Sequence, residues 1–431
     1  MSDTMTAGPE VSGKNLNLKR YFQFTLLLLA AGAIYPLLYL RQNFESSILE
    51  VFQITSGDLG NYYSMLGVVY FVCYVPSGWL ADKISPRLLV TLSMVGTGVL
   101  GLWFASIPSK EVLVYIFMAW GIAAGLTFWA SMIKGVKMLA HKNEQGRFFG
   151  VLDGGRGLVE AVLATIAIAI FAYAIESQGQ STTLALKQVI YMYSYTCIAI
   201  GVLTFFFFRG EANKDEASGP KVTSKNLFRD LKFLASIPEL WMVAAVIFCG
   251  YQLFWATYSF SSFMQLGYEV SAVTAGFITV AKLWMRPIGG IGAGFLGDKY
   301  GKENILAVAL AGSTLGLVVM IVFPQLNTVY FLLAIVLLIG VLTYAIRGLY
   351  WAILDDCDIP LQVTGLAIGV ISLIAYTPDI FLPQINGYFA ARYEGITVYN
   401  LYFGYIAVMG ALGTLAALKL KSMTAKKKSK S

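Results

Sequence analysis

Charge is what this chain has least of. Asp, Glu, Lys and Arg make up 13% of its 431 residues, where a soluble domain carries about a quarter. That supply cannot cover a water-facing surface, so a soluble globular fold is excluded. Histidine occurs once, as His141 in the loop His141-Lys-Asn-Glu-Gln-Gly-Arg147. The four cysteines, Cys73, Cys197, Cys249 and Cys357, are widely spaced with no paired motif. Metal and disulfide frameworks are therefore not expected, nor is a cofactor, and the cysteines read as small core residues. The chain has no H-E-x-x-H and no Walker loop. The charges it does have are scattered rather than clustered as a membrane-embedded enzyme would cluster them, so no enzyme is expected. The alternation of an outer-membrane barrel is also missing.

What is abundant is apolar sequence: 57% of residues are hydrophobic and the mean hydropathy is +0.68. One crossing of the hydrocarbon core takes about 20 apolar residues. Runs of that kind lie at 20–42, 59–80, 88–106, 112–138, 148–174 and 187–208, and again at 239–265, 271–296, 304–324, 327–354, 361–390 and 399–419. The expected fold is an all-α membrane protein with twelve transmembrane helices. A polar tail at 1–19 precedes a six-helix bundle at 20–208. A charged linker follows at 209–238, with a short surface helix expected near 225–233. A second bundle at 239–420 then leads to a basic tail at 421–431. Of the 31 Lys and Arg residues, 23 fall before the first span, in alternate loops and in the tail, while Lys110, Lys187 and Arg392 alone lie on the other side. By the positive-inside rule both termini are cytoplasmic. The net charge of +7 is thus a topology signal, and no nucleic-acid partner is expected. The N-terminal segment shows no signal-peptide cleavage site.

Gly78-Trp-Leu80-Ala-Asp82-Lys83 recurs as Gly294-Phe-Leu296-Gly-Asp298-Lys299 at an offset of 216, half the chain. Gly60 with Gly276, and Leu126-Thr127-Phe128 with Leu342-Thr343-Tyr344, keep the same offset. Two equivalent halves in a bilayer are the architecture of a solute transporter, with the substrate site between them. Each motif copy ends an apolar run, and the loop resembles the signature G-x-L-x-D-[RK]-x-G-[RK]-[RK] of the major facilitator superfamily. The resemblance implies secondary transport by alternating access. It also implies that Gly78, Asp82, Lys83 and Arg87, with Gly294, Asp298 and Lys299, form a conformational latch in which the glycines let neighbouring backbones approach.

A narrower resemblance is partial. Arg41-Gln-Asn43-Phe44 and Asp82-Lys-Ile-Ser-Pro86-Arg87 are similar to the R-x-N-F and D-x-x-[SN]-P-R motifs of the organophosphate:phosphate antiporter branch. The likeness implies that Arg41 is an anion ligand. The matching arginine of the seventh helix is missing, since 241–266 holds no Lys or Arg.

Charges inside the membrane cost about 3 kcal/mol each and should face protein or water. Lys282 and Arg286 share a helical face, and Arg347 has Tyr350 and Trp351 beside it. With Arg41 and Tyr350, these three cations form the expected substrate site. Asp153, Arg156 and Glu160 are spaced to neutralise one another, with Glu45 and Asp58 placed near the outer edge. Asp153, Arg156, Glu160 and Asp379 are the coupling candidates, Asp379 lying at an expected helix break where it could cap backbone. Cations outnumber acids, so the expected cargo is a small organic anion (phosphorylated, sulfonated or carboxylated), moved with a proton or counter-anion across a plasma or inner membrane by a monomer. A proton-coupled symporter of a neutral sugar or nucleoside, using Glu160 or Asp153, is the alternative reading. A membrane-embedded enzyme or a non-transporting sensor ranks below both.

Overall fold

The computed structural model describes residues 10–140, 145–209, 227–323, 328–357 and 361–428, and every regular element among them is helical. The first half contains α1 (Glu10–Leu38), α2 (Arg41–Phe52), α3 (Ser56–Lys83), α4 (Pro86–Ala105), α5 (Lys110–Gly121), α6 (Trp129–Leu139), α7 (Gln145–Ala172) and α8 (Thr182–Phe207). The short helix α9 (Leu227–Ala235) precedes the second half. That half contains α10 (Pro238–Ala256), α11 (Phe260–Tyr268), α12 (Ala272–Leu283), α13 (Met285–Tyr300), α14 (Lys302–Val322), α15 (Val329–Leu349), α16 (Leu361–Ala375), α17 (Pro378–Ala390) and α18 (Ile396–Lys428). Ten traverses are apolar and long enough to cross a membrane on composition alone; α3, and α12 with α13, complete the twelve.

Several traverses are broken helices, and the breaks lie at the centre of the molecule. The first span does not stop at residue 42. It turns at Tyr39 and Leu40 and continues as α2 to Phe52, with a further kink at Phe44. The seventh span passes from α10 to α11 through a 3-10 turn at Thr257–Ser259. The eleventh breaks at Tyr376 and Thr377, ahead of Pro378, as the sequence suggests. The helix α9 covers most of the surface helix expected near 225–233, while 210–226 of the linker lies outside the described residues.

Local chemistry accounts for the helix starts. Thr55 and Asp58 cap α3 reciprocally: Asp58 N–H donates to Thr55 Oγ1 (3.1 Å), and Thr55 N–H donates to Asp58 Oδ2 (2.9 Å). Ser85 is the N-cap of α4 with Pro86 at its first position. The equivalent turn before α14 is made instead by Gly301 at φ +91°. The departure from the signature at Ser85-Pro86 therefore builds the same turn by a second route.

The 216-residue offset is visible in three dimensions. Ser46 Oγ and Ser262 Oγ, separated by that offset, meet at 3.5 Å across the boundary between the halves. Gly60 lies against the backbone of Pro383, and its counterpart Gly276 lies against Ile168, so α3 packs on α17 as α12 packs on α7. On the face opposite the termini the halves are sealed backbone to backbone. A Cβ on Gly60 would stand 2.3 Å from Pro383 O, one on Gly67 2.6 Å from Asp379 O, and one on Gly387 2.9 Å from Gly57 Cα. Towards the termini, Asp153 lies well inside α7, yet its side chain is 70% exposed. The space between the halves opens on that side.

Candidate functional site

The breaks in the seventh and eleventh spans bring aromatic and ionisable side chains to one place. Asp379, in the first turn of α17, is 7% exposed. Its Oδ1 accepts from Tyr251 Oη and Trp255 Nε1 of α10, both at 2.7 Å. Asp379 is thus a cross-helix acceptor, where backbone capping was the plainer expectation. Arg347 reaches the same region from the last turn of α15. Its guanidinium lies 4.2 Å from the centroid of the Phe254 ring. Tyr251, Tyr258, Tyr350 and Tyr376 stand within electrostatic range, as does Asp379. Among the described residues, nothing hydrogen-bonds to Arg347 and no carboxylate comes within ion-pair distance. Tyr350 Oη and Trp351 Nε1 each lie 3.4 Å from Tyr376 Oη, closing the wall beside it.

The other cations are engaged. Arg41 is 2% exposed and donates from Nη2 to Glu45 Oε1 (3.0 Å), with its guanidinium 5.0 Å from the Tyr63 ring centroid. Glu45 is wholly buried, which corrects its expected place at the outer edge, because the helix runs on beyond it. Arg286 bridges the halves, donating to Glu160 (3.0 Å) and Asp153 (3.2 Å) of α7. Gly157 leaves the room this takes, since a Cβ there would meet Arg286 Cδ. Arg156 keeps Asp153 at 3.5 Å and sits over Trp129. Neutralisation within α7 is therefore only half of what the spacing suggests, because Glu160 turns to the other half for its partner.

Lys282 lies apart from these pairs. It is 1% exposed, and Nζ donates to Thr257 Oγ1 at 2.9 Å. Its stem occupies a groove that exists because residue 340 is glycine: a Cβ there would lie 2.6 Å from Lys282 Cγ. Thr257 is also the position equivalent to Arg41 by the 216-residue offset. The seventh span has no basic residue of its own, and a lysine from α12 reaches that position. A rule based on one helix's own residues misses this; only the offset, applied to a neighbouring helix, could find it.

Both signature loops are tied within their own halves. Lys134 Nζ donates to Ala81 O (2.6 Å), and Lys302 Nζ donates to Ala352 O (3.0 Å). Lys83 and Lys299 lie over the rings of Trp79 and Tyr300, and Arg87 lies over Phe205. Asp298 is exposed, and the side chain of Asp82 lies outside the described residues. The expectation that Gly78 and Gly294 allow close backbone approach is not met. A Cβ at either would find open space, and that role falls to Gly57, Gly60, Gly67 and Gly387. His141, Asp358 and Lys430, with the side chains of Asp355, Asp356, Lys427 and Lys428, also lie outside the described residues, while all four cysteines are buried thiols outside any disulfide.

Comparison with known proteins agrees with this architecture. The chain is 28% identical over 420 residues to the inner membrane protein YihN of Escherichia coli (strain K12), covering 96% of this chain and 98% of that one. It is 28% identical over 399 residues to the inner membrane protein YqcE of the same organism, covering 91% and 92%. In fold it is similar to a variant of the nucleoside transporter NupG, with TM-score 0.73, 12% identity and coverage of 93% and 99%. It is also similar to a bacterial homolog of the human lysosomal transporter Spinster in an inward-facing, unoccupied conformation, with TM-score 0.72, 13% identity and coverage of 94% and 98%. At these identities the solved structures speak for the fold alone. The sequence profile of the Major Facilitator Superfamily matches residues 21–383. Twelve traverses in two halves related by a 216-residue offset, and a profile match over most of the length, place this chain in the Major Facilitator Superfamily of membrane transporters.

Proposed function

We propose that this transporter moves a small organic anion by alternating access, binding it between the halves with Arg347 as the principal ligand. The observation that carries this reading is the Arg347 guanidinium: it is fixed over Phe254, ringed by tyrosines and without a hydrogen-bond partner among the described residues. An arginine in such a place retains its charge and offers planar donors suited to carboxylate, sulfonate or phosphate. Tyr350 and Tyr376 supply hydroxyls for the polar remainder of the substrate. Arg41 and Arg286, each already holding a carboxylate, serve the scaffold and the halves' boundary.

The Lys and Arg distribution assigns the open side to the cytoplasm, so the conformation is inward-open in an inner or plasma membrane. On this reading the loops at Asp82 and Asp298 act as latches in the opposite conformation and are here tied back to their own halves. The protein acts as a monomer.

The test begins with a thermal-shift panel of carboxylates, sulfonates, sugar phosphates, neutral sugars and nucleosides, since a true ligand stabilises the native state by mass action. Uptake into proteoliposomes follows. Losing charge-assisted hydrogen bonds worth about 2–3 kcal/mol lowers affinity roughly 30- to 150-fold. Arg347→Ala should therefore lower uptake at least about tenfold at substrate levels near the wild-type KM, with Arg347→Lys partly restoring it. Unchanged uptake by folded Arg347→Ala sinks the anion site. Stabilisation by a nucleoside or neutral sugar alone shifts the reading to the proton-coupled alternative.

A further inference from the structure

Among the described residues, four arginines and four carboxylates lie inside the bilayer: Arg41, Arg156, Arg286 and Arg347 against Glu45, Asp153, Glu160 and Asp379. Glu45 is held by Arg41, Asp153 by Arg156 and Arg286, and Glu160 by Arg286. Asp379 accepts two donors on one oxygen, an arrangement that favours its ionised form. With Asp379 ionised, the charges of the described interior residues balance only if the remaining group, Lys282, carries no charge.

The surroundings of Lys282 give the same answer independently. An ammonium has three N–H donors to place, and a neutral amine has two and a lone pair. Among the described residues Lys282 has one acceptor, Thr257 Oγ1, whose own proton is committed to Phe254 O at 2.8 Å. The nearest carboxylate, Glu160 of α7, is taken by Arg286. Glu50 of α2 and Asp298 of α13 are exposed near the far ends of their helices, and the other described ionisable groups on the elements packed around α12 offer no counter-charge. Arg41 and Glu45 of α2 neutralise each other's charge through one contact, and Asp153 of α7 is shared by Arg156 and Arg286. Arg286 of α13 and Arg347 of α15 are cations, and Tyr258, Tyr268 and Tyr344 are neutral hydroxyls. Arginine cannot shed its proton in a protein, whereas a desolvated lysine can. Lys282 and Arg347 also share one wall: Arg347 lies on Phe254, Lys282 lies 6.0 Å from the Tyr258 ring centroid, and those two rings are 5.2 Å apart.

We propose that Lys282 is the proton-carrying group of the transport cycle, a neutral amine in the empty carrier and an ammonium when an anion occupies Arg347. This rests on the anion reading above. An arriving anion brings one negative charge to the Phe254–Tyr258 wall. The Nζ lone pair then takes one proton from the water of the open face, forming an N–H bond and leaving the conjugate base in solution. Anion and proton cross together, and the ammonium gives up its proton when the anion departs on the other side. For a monovalent anion no net charge moves, so the process is electroneutral symport.

The experiment uses purified full-length protein in weakly buffered detergent with a soluble pH dye. The probes are gluconate, glucuronate and isethionate, monovalent anions that do not titrate near neutrality. The thermal shift is read on the same samples. Wild type should take up about one proton per anion bound. Lys282→Met, which keeps the stem and drops the charge, should bind with a thermal shift and take up none. The proposal is overturned if wild type binds an anion without taking up a proton. It is overturned equally if uptake survives in Lys282→Met. No thermal shift from any probe in wild type overturns the anion reading and this one together, and that readout tells the two failures apart.

Discussion

The pair formed by Arg41 and Glu45 shows how far one residue's neighbours decide its role. Read alone, Arg41 in Arg41-Gln-Asn43-Phe44 is a free cation awaiting an anion. In the folded chain the anion is its own neighbour four residues on, both side chains are buried, and Tyr63 stacks beneath the guanidinium. Removing one member of a buried pair strands the other charge and costs about 3–5 kcal/mol, whereas replacing both with apolar groups of similar volume is often neutral. Glu45→Gln should therefore lower the stability of the detergent-solubilised protein by roughly that amount. The double variant Arg41→Met with Glu45→Leu should recover most of it. Thermal unfolding of the three proteins side by side is the measurement. A Glu45→Gln protein as stable as wild type shows that the pair contributes nothing, and leaves Arg41 free for a substrate.

At the scale of elements, the helices were legible because spans of about 20 apolar residues have few other homes, and because Pro378 marks its own break. The seam between α3 and α17 was not legible. Gly60 stands out in the sequence only as half of a repeated pair, and the backbone it touches is more than 300 residues away. A glycine's function lies in what the partner strand of the chain does, and no local pattern records that. The seam makes a definite prediction. An alanine at Gly60 drives a methyl into Pro383 O, a backbone atom that cannot rotate away. The sealed conformation is penalised, and each 1.4 kcal/mol or so shifts its population tenfold. Ser64, 3% exposed on the same seam, is a suitable reporter once the four buried cysteines are replaced by alanine. Labelling of Ser64→Cys by a membrane-impermeant maleimide should rise at least about tenfold when Gly60→Ala is added. Equal labelling rates in the two backgrounds refute the seam as the gate.

For the whole molecule, duplication was the strongest sequence signal, and the meeting of Ser46 with Ser262 is its physical counterpart. The site was only half legible. Its cations were identifiable because charge in a bilayer is conspicuous, but their partners were not, since Arg286 reaches α7 and Lys282 reaches the 3-10 turn after α10, across the boundaries of their own helices. Pairing across the halves also means that the interior behaves as one electrostatic unit, which gives a prediction for a group other than the one changed. Arg286→Met removes one of four arginines and releases Glu160 from its 3.0 Å partner. Lys282 lies in electrostatic range of Glu160, and an uncompensated carboxylate favours the charged form of an amine within its range. Lys282 should consequently hold its proton in the empty carrier. Anion binding to Arg286→Met should then proceed with proton uptake falling from about one per anion towards none, although Lys282 itself is untouched. Arg286→Lys, which restores the cation, should restore the uptake. Uptake that remains near one in Arg286→Met shows that the charges of the two halves are not coupled through α7 and α13.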